Sequence, residues 1–577
     1  MLRHSLALLT ASVTMTTASA EEFRYKDRLL DDLVRQVPDI LKTYDAETGH
    51  FGKGIWICTD QNLMFPLAVA YARQGEGNKY YKDQQLLETI MKAGDALIAD
   101  ADKDGKWVFR KKDGSEWGKI WMPWTYSRWV RAFMLIRDDM PPDRRAAWEK
   151  ALTLGYDGIA RSQLGHVHNI PAHHAMGLYF AGKVLGKPDW CEKAADFMKK
   201  VAGAQFEGGY WSEDVGPVVR YNFVYVDALG TYYSASGDQH VLPAIENALR
   251  FHSMFTYPDG SIVETIDERN PYHDGVHPAN VGFTLTPHGR ALLHVLWAKL
   301  GKEPLSADLI ASLLMHGEEG PMDPSFLNPG GSLEVLTEKG VDRAAVLRRG
   351  PWYVCVSAYT APIPKSRWHQ DRQNFVSVFH EKVGLIVGGG NTKLQPAWSN
   401  FTVGDMALLQ HKPGDENPDF LPKGPLFHVP SDVRLIREPQ LGLDLTYGKQ
   451  LCRIRIQPND DHRLDLVLSA PGVEDGPVAA HLTLIPHIKK PLETAGEQSV
   501  TLGDASIAWT PAQVAGAVSH GAARLLVPDT ASLFWPALPH NPYRKDGRAE
   551  PAEGRIEIRI PFDRQHTEYT VTLEVPE

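Results

Sequence analysis

Apolar residues recur three and four apart from Tyr25 to about His316, interrupted by Gly, Pro and Asp; from Trp352 onward they alternate or gather in short β-branched runs. One layer of structure cannot serve both periods, so the chain must build a helical core and then a separate β core. Helices are expected at Leu63 to Ala72, Gln85 to Ala99, Trp124 to Ile136, Arg144 to Ile159, Ala172 to Leu185, Asp189 to Val201, Tyr221 to Ser236, His240 to Thr256 and His288 to Leu300. So many paired helices close into an α/α toroid or stack as a solenoid, and the lack of a fixed-period repeat favours the toroid. Strands are expected at Trp352 to Tyr359, Phe375 to His380, Val383 to Val387, Leu451 to Ile456, Leu464 to Leu468, Arg555 to Ile560 and Tyr569 to Val575, which together suit a β-sandwich. The expected division is a leader over 1–20, a toroid over 21–316, a Pro- and Gly-rich linker with a connecting helix over 317–350, and the sandwich over 351–577.

Arg3, the apolar run Leu6 to Val13 and Ala18-Ser19-Ala20 have the order of a cleavable export signal. The run is shorter than the roughly 20 residues that cross a bilayer, and no later stretch supplies them, so no membrane span is expected and a periplasmic or secreted location is. A net charge of −10 argues against a nucleic-acid partner, because phosphate binding draws on a basic face. It also leans against a densely sulfated polymer, in favour of a short or sparsely charged substrate. Cys58, Cys191, Cys355 and Cys452 lack metal-ligand spacing and are read as buried thiols or one disulfide. No metal site or cofactor is indicated, although a structural divalent ion in the β half is left open. Composition does not speak to oligomeric state.

Four segments concentrate polar and aromatic groups. In the first, His166 to His174, Asn169 stands at the start of a helix followed by His173 and His174; a cap explains Asn169 but not the histidine pair. In the second, Tyr210 to Tyr225, Tyr221 and Tyr225 lie one turn apart on a helix starting near Pro217, with Trp211 and Arg220 nearby. A tyrosine beside a cation serves as base or acid, whereas an aromatic stripe at this spacing also suits a core. The third is the loop Glu264 to His273 with Arg269 and Tyr272, whose carboxylates suit either a solvated loop or acid–base hydrolysis with Asp214. The fourth is Ser366 to Phe375, where Trp368, His369, Asp371 and Arg372 lead straight into a strand.

A helical toroid, then His369-x-Asp371 leading through Phe375 into a strand and on to Gly388-Gly389-Gly390, resembles the heparinase II/III-like polysaccharide lyases. Arg367 stands where that family often has a first histidine. The resemblance implies a multidomain α and β chain, an N-terminal incomplete (α/α) toroid followed by a C-terminal antiparallel β-sandwich. It further implies a carbon–oxygen lyase that cleaves the bond to O4 of a uronic acid in a polysaccharide or oligosaccharide by β-elimination. Carried over, Asn169 with His173 would neutralise the uronate carboxylate, and Tyr221 or Tyr225 with His369 would move the protons. Donors meeting the charge that builds on that carboxylate follow the logic of an oxyanion hole. His174, Trp124, Arg128, Trp211, Arg220, Arg269, Tyr272, Trp368 and Arg372 are the expected substrate contacts. The competing expectations are a toroidal glycoside hydrolase acting on uronic-acid oligosaccharides, with Asp214 paired to Asp267 or Glu264, and a carbohydrate-binding protein without catalysis.

Overall fold

The computed structural model describes residues 21–577 apart from 270–274, 279, 302, 328–331, 410–411, 413 and 474–476, so the expected leader and Tyr272 lie outside the described residues. Twelve helices precede the sheets among those residues: α1 (Lys26–Leu41), α2 (Met64–Ala72), α3 (Gln84–Asp100), α4 (Pro123–Ile136), α5 (Pro142–Ser162), α6 (Asn169–Val184), α7 (Pro188–Gly203), α8 (Val219–Ser236), α9 (Leu242–Met254), α10 (Val281–Thr284), α11 (Pro287–Leu300) and α12 (Ala307–His316). The even-numbered helices make an inner ring, α2 on α4, α4 on α6, α6 on α8 and α8 on α10, with α12 returning to α2. The odd-numbered helices pack outside them. Sequence explains the sorting: α1 has one buried stripe (Leu29, Leu30, Leu33, Val37, Ile40), while α2 buries every residue from Met64 to Tyr71. The fifth inner helix, α10, is a single turn of 4 residues, which leaves the toroid incomplete. It fits because Gly230 and Gly282 let backbones touch; a Cβ on Gly230 would lie 2.3 Å from the Gly282 Cα. Among the described residues no helix is long and apolar enough to cross a membrane.

The second half is two packed antiparallel sheets of 11 and 9 strands. Its strands begin at Leu333, not 351: Val341–Arg349, expected as a connecting helix, is a strand paired with Leu333–Glu338 on one side and Trp352–Ser357 on the other. Its short run Ala344-Ala345-Val346 fits either period, and pairing on both sides satisfies backbone groups that a helix would leave open on the neighbouring strands. Strands of the outer sheet alternate in burial, as in Arg463–Ser469, but Trp352–Ser357 and Val376–His380 are buried throughout. The reason is a second apolar layer. Val354, Val356 and Val378 enter the sandwich core, whereas Tyr353, Cys355 and Phe379 join Phe251, Tyr257, Ile262 and Ile266 of the helical half. Successive side chains on one strand thus hold two domains together. All four cysteines are free thiols, so the alternative of a disulfide is set aside.

Candidate active site

Inner helices α4, α6 and α8 present their N-termini on one face of the ring, next to the hairpin Trp107–Arg110/Glu116–Ile120. The β half covers this face with the segment around Trp368 and the loop around Tyr543. Two adjoining lobes result. One, of about 750 Å³, is lined by Ile57, Phe109, Trp117, Ile120 and Met122 together with Asn169, Glu213, Arg269, Trp368 and His369. The other, of about 780 Å³, is lined by Arg128, His173, Arg220, Asp227, Asn280 and Asn541. Trp124, Lys111, Tyr221 and Tyr543 border both. Three helix N-termini bias the mouth toward anions.

Tyr221 stands where the lobes meet. Its hydroxyl lies 3.3 Å from the Tyr543 hydroxyl of the β half and accepts from Arg269 Nη2 at 3.5 Å. The Arg269 guanidinium is 5.2 Å from the Tyr221 ring centroid and 5.7 Å from that of Trp368, with Glu213 at 3.6 Å. Burial, then the neighbouring Tyr221, pushes the Tyr543 hydroxyl far above its ordinary pKa, so it stays protonated. Asn169 is the first residue of α6, one past the N-cap His168; its Oδ1 accepts from the Ile170 N–H, and its amide N–H groups have no partner among the described residues. His369 Nδ1 faces Asp214 at 3.5 Å. Burial first, and the Arg269 charge second, lower the His369 pKa, leaving the ring neutral at neutral pH.

Other expected site residues divide. His173 lines the second lobe as a neutral ring: Nε2 accepts from Arg128 Nη1 at 2.9 Å, and burial followed by Arg128 holds its pKa well down. Arg128 is itself held by Asp308 through two bonds of 3.0 and 2.7 Å. His174 is buried and borders neither lobe, its pKa pushed down by burial to about 3. Tyr225 and Trp211 are core: their rings stack at 4.9 Å, the indole donates to the Val201 carbonyl, and the Tyr225 hydroxyl donates to Glu213 at 3.1 Å. Arg372 is buried and donates to the carbonyls of Ile266 and Val215, which makes it a brace between loops and not a substrate contact.

Of the carboxylates considered for hydrolysis, Asp214 faces His369, whereas its two possible partners, Asp267 and Glu264, are committed elsewhere. Asp267 accepts from the Val219 and Arg269 N–H groups, and Glu264 from the Gly389 N–H and the Tyr257 hydroxyl; both are buried. Glu268 accepts from the N–H groups of Glu213, Asp214 and Val215 at 2.9, 3.0 and 2.6 Å. It therefore shapes the loop that presents Glu213 and Asp214. Gly216 completes that loop at φ +95°, where a Cβ would press on Arg372 Nη2 at 2.7 Å.

No protein-family model and no curated protein sequence matches the chain. Solved structures do match. A Paenibacillus xanthan lyase aligns with TM-score 0.56 and 11% identity over 95% of this chain and 57% of its own, and heparinase III with TM-score 0.55 and 10% identity over 99% and 88%. The fold is that of the heparinase II/III-like polysaccharide lyases. The chain spans just over half the length of the xanthan lyase.

Within this lyase fold, Asp371 of the His-x-Asp element is fully buried, bonded to Lys393 Nζ at 2.9 Å and His428 Nε2 at 3.1 Å. Lys393 also donates to the Pro364 carbonyl, so the pair anchors both ends of the segment carrying Trp368 and His369. An ammonium already balances this carboxylate, and among the described residues no group of three or more His, Cys, Asp or Glu side chains is set to hold a metal ion. Arg367 donates to the carbonyls of Pro542 and Lys545, tying the Trp368 segment to the Tyr543 loop. Reading the sequence missed Tyr543, Glu213 and the hairpin aromatics Phe109 and Trp117. The polar run His540-Asn541-Pro542-Tyr543-Arg544 carried the same density signal as the four segments chosen.

Proposed function

We propose that this protein is an exported polysaccharide or oligosaccharide lyase that cleaves the bond to O4 of a uronic acid by β-elimination. The observation that carries the reading is Tyr221 at the junction of two lobes, its oxygen between Arg269 and Tyr543, with neutral His369 and the Asn169 amide lining the same lobe. The export signal read at 1–20 and the fold shared with polysaccharide lyases support it.

The residues would divide the work as follows. His369, kept neutral by burial and Arg269, takes the proton from C5. The electron pair of the C5–H bond becomes the C4–C5 double bond, the C4–O4 bond breaks, and the Tyr221 hydroxyl delivers a proton to O4. Arg269 and the protonated Tyr543 then face the oxygen that becomes negative, and solvent returns the proton from His369 to Tyr221. The Asn169 amide donors meet the charge that accumulates on the uronate carboxylate during C5–H cleavage. Trp124 and Trp368 offer ring faces to the sugars.

Incubation with a panel of uronate polysaccharides, followed by ultraviolet absorbance of the conjugated product, tests the proposal. Elimination raises absorbance; new reducing ends without absorbance would indicate hydrolysis. With Asp267 and Glu264 both bonded to backbone away from the lobes, the hydrolase pairing finds no support.

A further inference from the structure

Building on the polysaccharide reading, we infer that the far end of the 11-stranded sheet carries a second saccharide-binding site, a groove of about 790 Å³ that holds a stretch of the polymer away from the cleft. The toroid covers only part of that sheet. Tyr353, Cys355 and Phe379 meet the helical half, and the same face runs on through Gly384–Val387, Val478–Leu484 and Arg555–Phe562 to Ser532–Ala537 and Ile507–Trp509. There Leu533, Ile558 and Ile560 enter the sandwich core, so Ser532, Phe534, Glu557 and Arg559 stand on the opposite face. The register sets Phe534 beside Glu557 and Ser532 beside Arg559, with the small Ala508 on the other side of Phe534. Segments 394–397 and 406–407 wall this floor, and the groove shares no lining residue with either lobe of the cleft.

Three features of the floor point to a sugar. Phe534 is 40% exposed and offers its ring to the C–H face of a pyranose. Arg559 makes no ion pair among the described residues, which leaves its N–H groups to donate to sugar oxygens. Glu557 is only 4% exposed; one of its oxygens accepts from His481 Nδ1 at 2.7 Å, and the other has no partner among the described residues. A carboxylate oxygen so little hydrated costs free energy unless something donates to it, and hydroxyl groups do. An aromatic face beside a donor and an acceptor suits a polyhydroxylated ring, whereas an apolar peptide or a lipid chain would leave Arg559 and Glu557 unpaired. A polymer held here and also entering the cleft is presented to the cleft at raised local concentration.

Affinity electrophoresis of the full chain carrying Tyr221→Phe, in gels cast with alginate, hyaluronan or chondroitin sulfate, tests the inference. Adding Phe534→Ala or Arg559→Ala is expected to weaken binding at least about fivefold in the gel that retards the parent most, with the melting temperature unchanged. Equal retardation of the parent and both variants, or no retardation in any gel, overturns it. With Tyr221 intact, each groove substitution is expected to raise KM on the polymer, read by ultraviolet absorbance, and to leave kcat/KM on a short oligosaccharide confined to the cleft unchanged. An equal loss on the short oligosaccharide overturns the assignment. Groove-dependent retardation without absorbance from any polymer keeps the groove and removes the elimination chemistry; absorbance without groove dependence removes the groove alone.

Discussion

Tyr221 and Tyr225 occupy one stripe of α8 a single turn apart, yet only Tyr221 reaches the cleft, because the Tyr225 ring is stacked on Trp211. Tyr221→Phe is expected to lower kcat by about 10² to 10⁴ with an unchanged melting temperature, since proton transfer by a positioned side chain contributes that much. Tyr225→Phe keeps the stacked ring and loses only the bond to Glu213, so its effect on kcat is expected to stay within about tenfold, read by steady-state rates and thermal melting together. Under the proposed mechanism Asn169→Ala removes the amide donors that would meet the charge on the uronate carboxylate, and it is expected to cost about 10² to 10³ in kcat. The pH profile follows from His369. Its folded-state pKa is depressed below the ordinary histidine value by burial and Arg269, so the neutral form required of a base persists into mildly acidic solution. The acid limb of kcat/KM should therefore fall below about pH 6.5, and Arg269→Gln should move it upward. A limb well above that value would contradict the assignment.

At the scale of elements, the site depends on two loops whose buried carboxylates never touch substrate in this account. Glu268 holds three successive backbone N–H groups of the loop before α8. Glu268→Ala would leave them unsatisfied, and a loss of about 1–3 kcal/mol in chemical denaturation together with lower kcat/KM is expected. Asp371 plays the same part under the His369 segment. Its carboxyl is held below its ordinary pKa by Lys393 and His428 against the opposing effect of burial, so it contributes stability above the unfolded-state carboxylate range that is lost as pH falls through the folded value. Asp371→Asn strands the Lys393 ammonium in the interior and is expected to destabilise by about 3–5 kcal/mol. These roles explain what the sequence hid. The helices of the toroid were readable because each inner or outer face repeats at helical spacing, and all nine expected helices lie within a few residues of those observed. The acidic loop from Glu264 read as possible chemistry because composition cannot distinguish a carboxylate facing solvent from one capping backbone. The strand Val341–Arg349 was misread because its apolar run is too short to show a period, and only its two neighbours decide it.

For the whole molecule, the consequence is that neither half alone lines the cleft or holds all of the proposed site. Asn169, Glu213 and Tyr221 come from the toroid, His369 and Tyr543 from the sandwich, and the two are fixed by a shared apolar layer that includes Tyr257 stacked on Phe379 at 5.1 Å. Phe379→Ala is expected to cost about 3–5 kcal/mol and to reduce activity out of proportion to its distance from the cleft. The sequence showed that two halves exist and which segments are rich in polar groups; it could not show that Tyr543, far along the chain, completes the site, because that contact exists only once the domains dock. The most direct test of the account is ultraviolet absorbance during incubation of the unmodified protein and Tyr221→Phe with a panel of uronate oligosaccharides. The account predicts a steady rise for the unmodified protein and a rate about 10² to 10⁴ lower for the variant; reducing ends released without absorbance, or equal rates for both proteins, would contradict it.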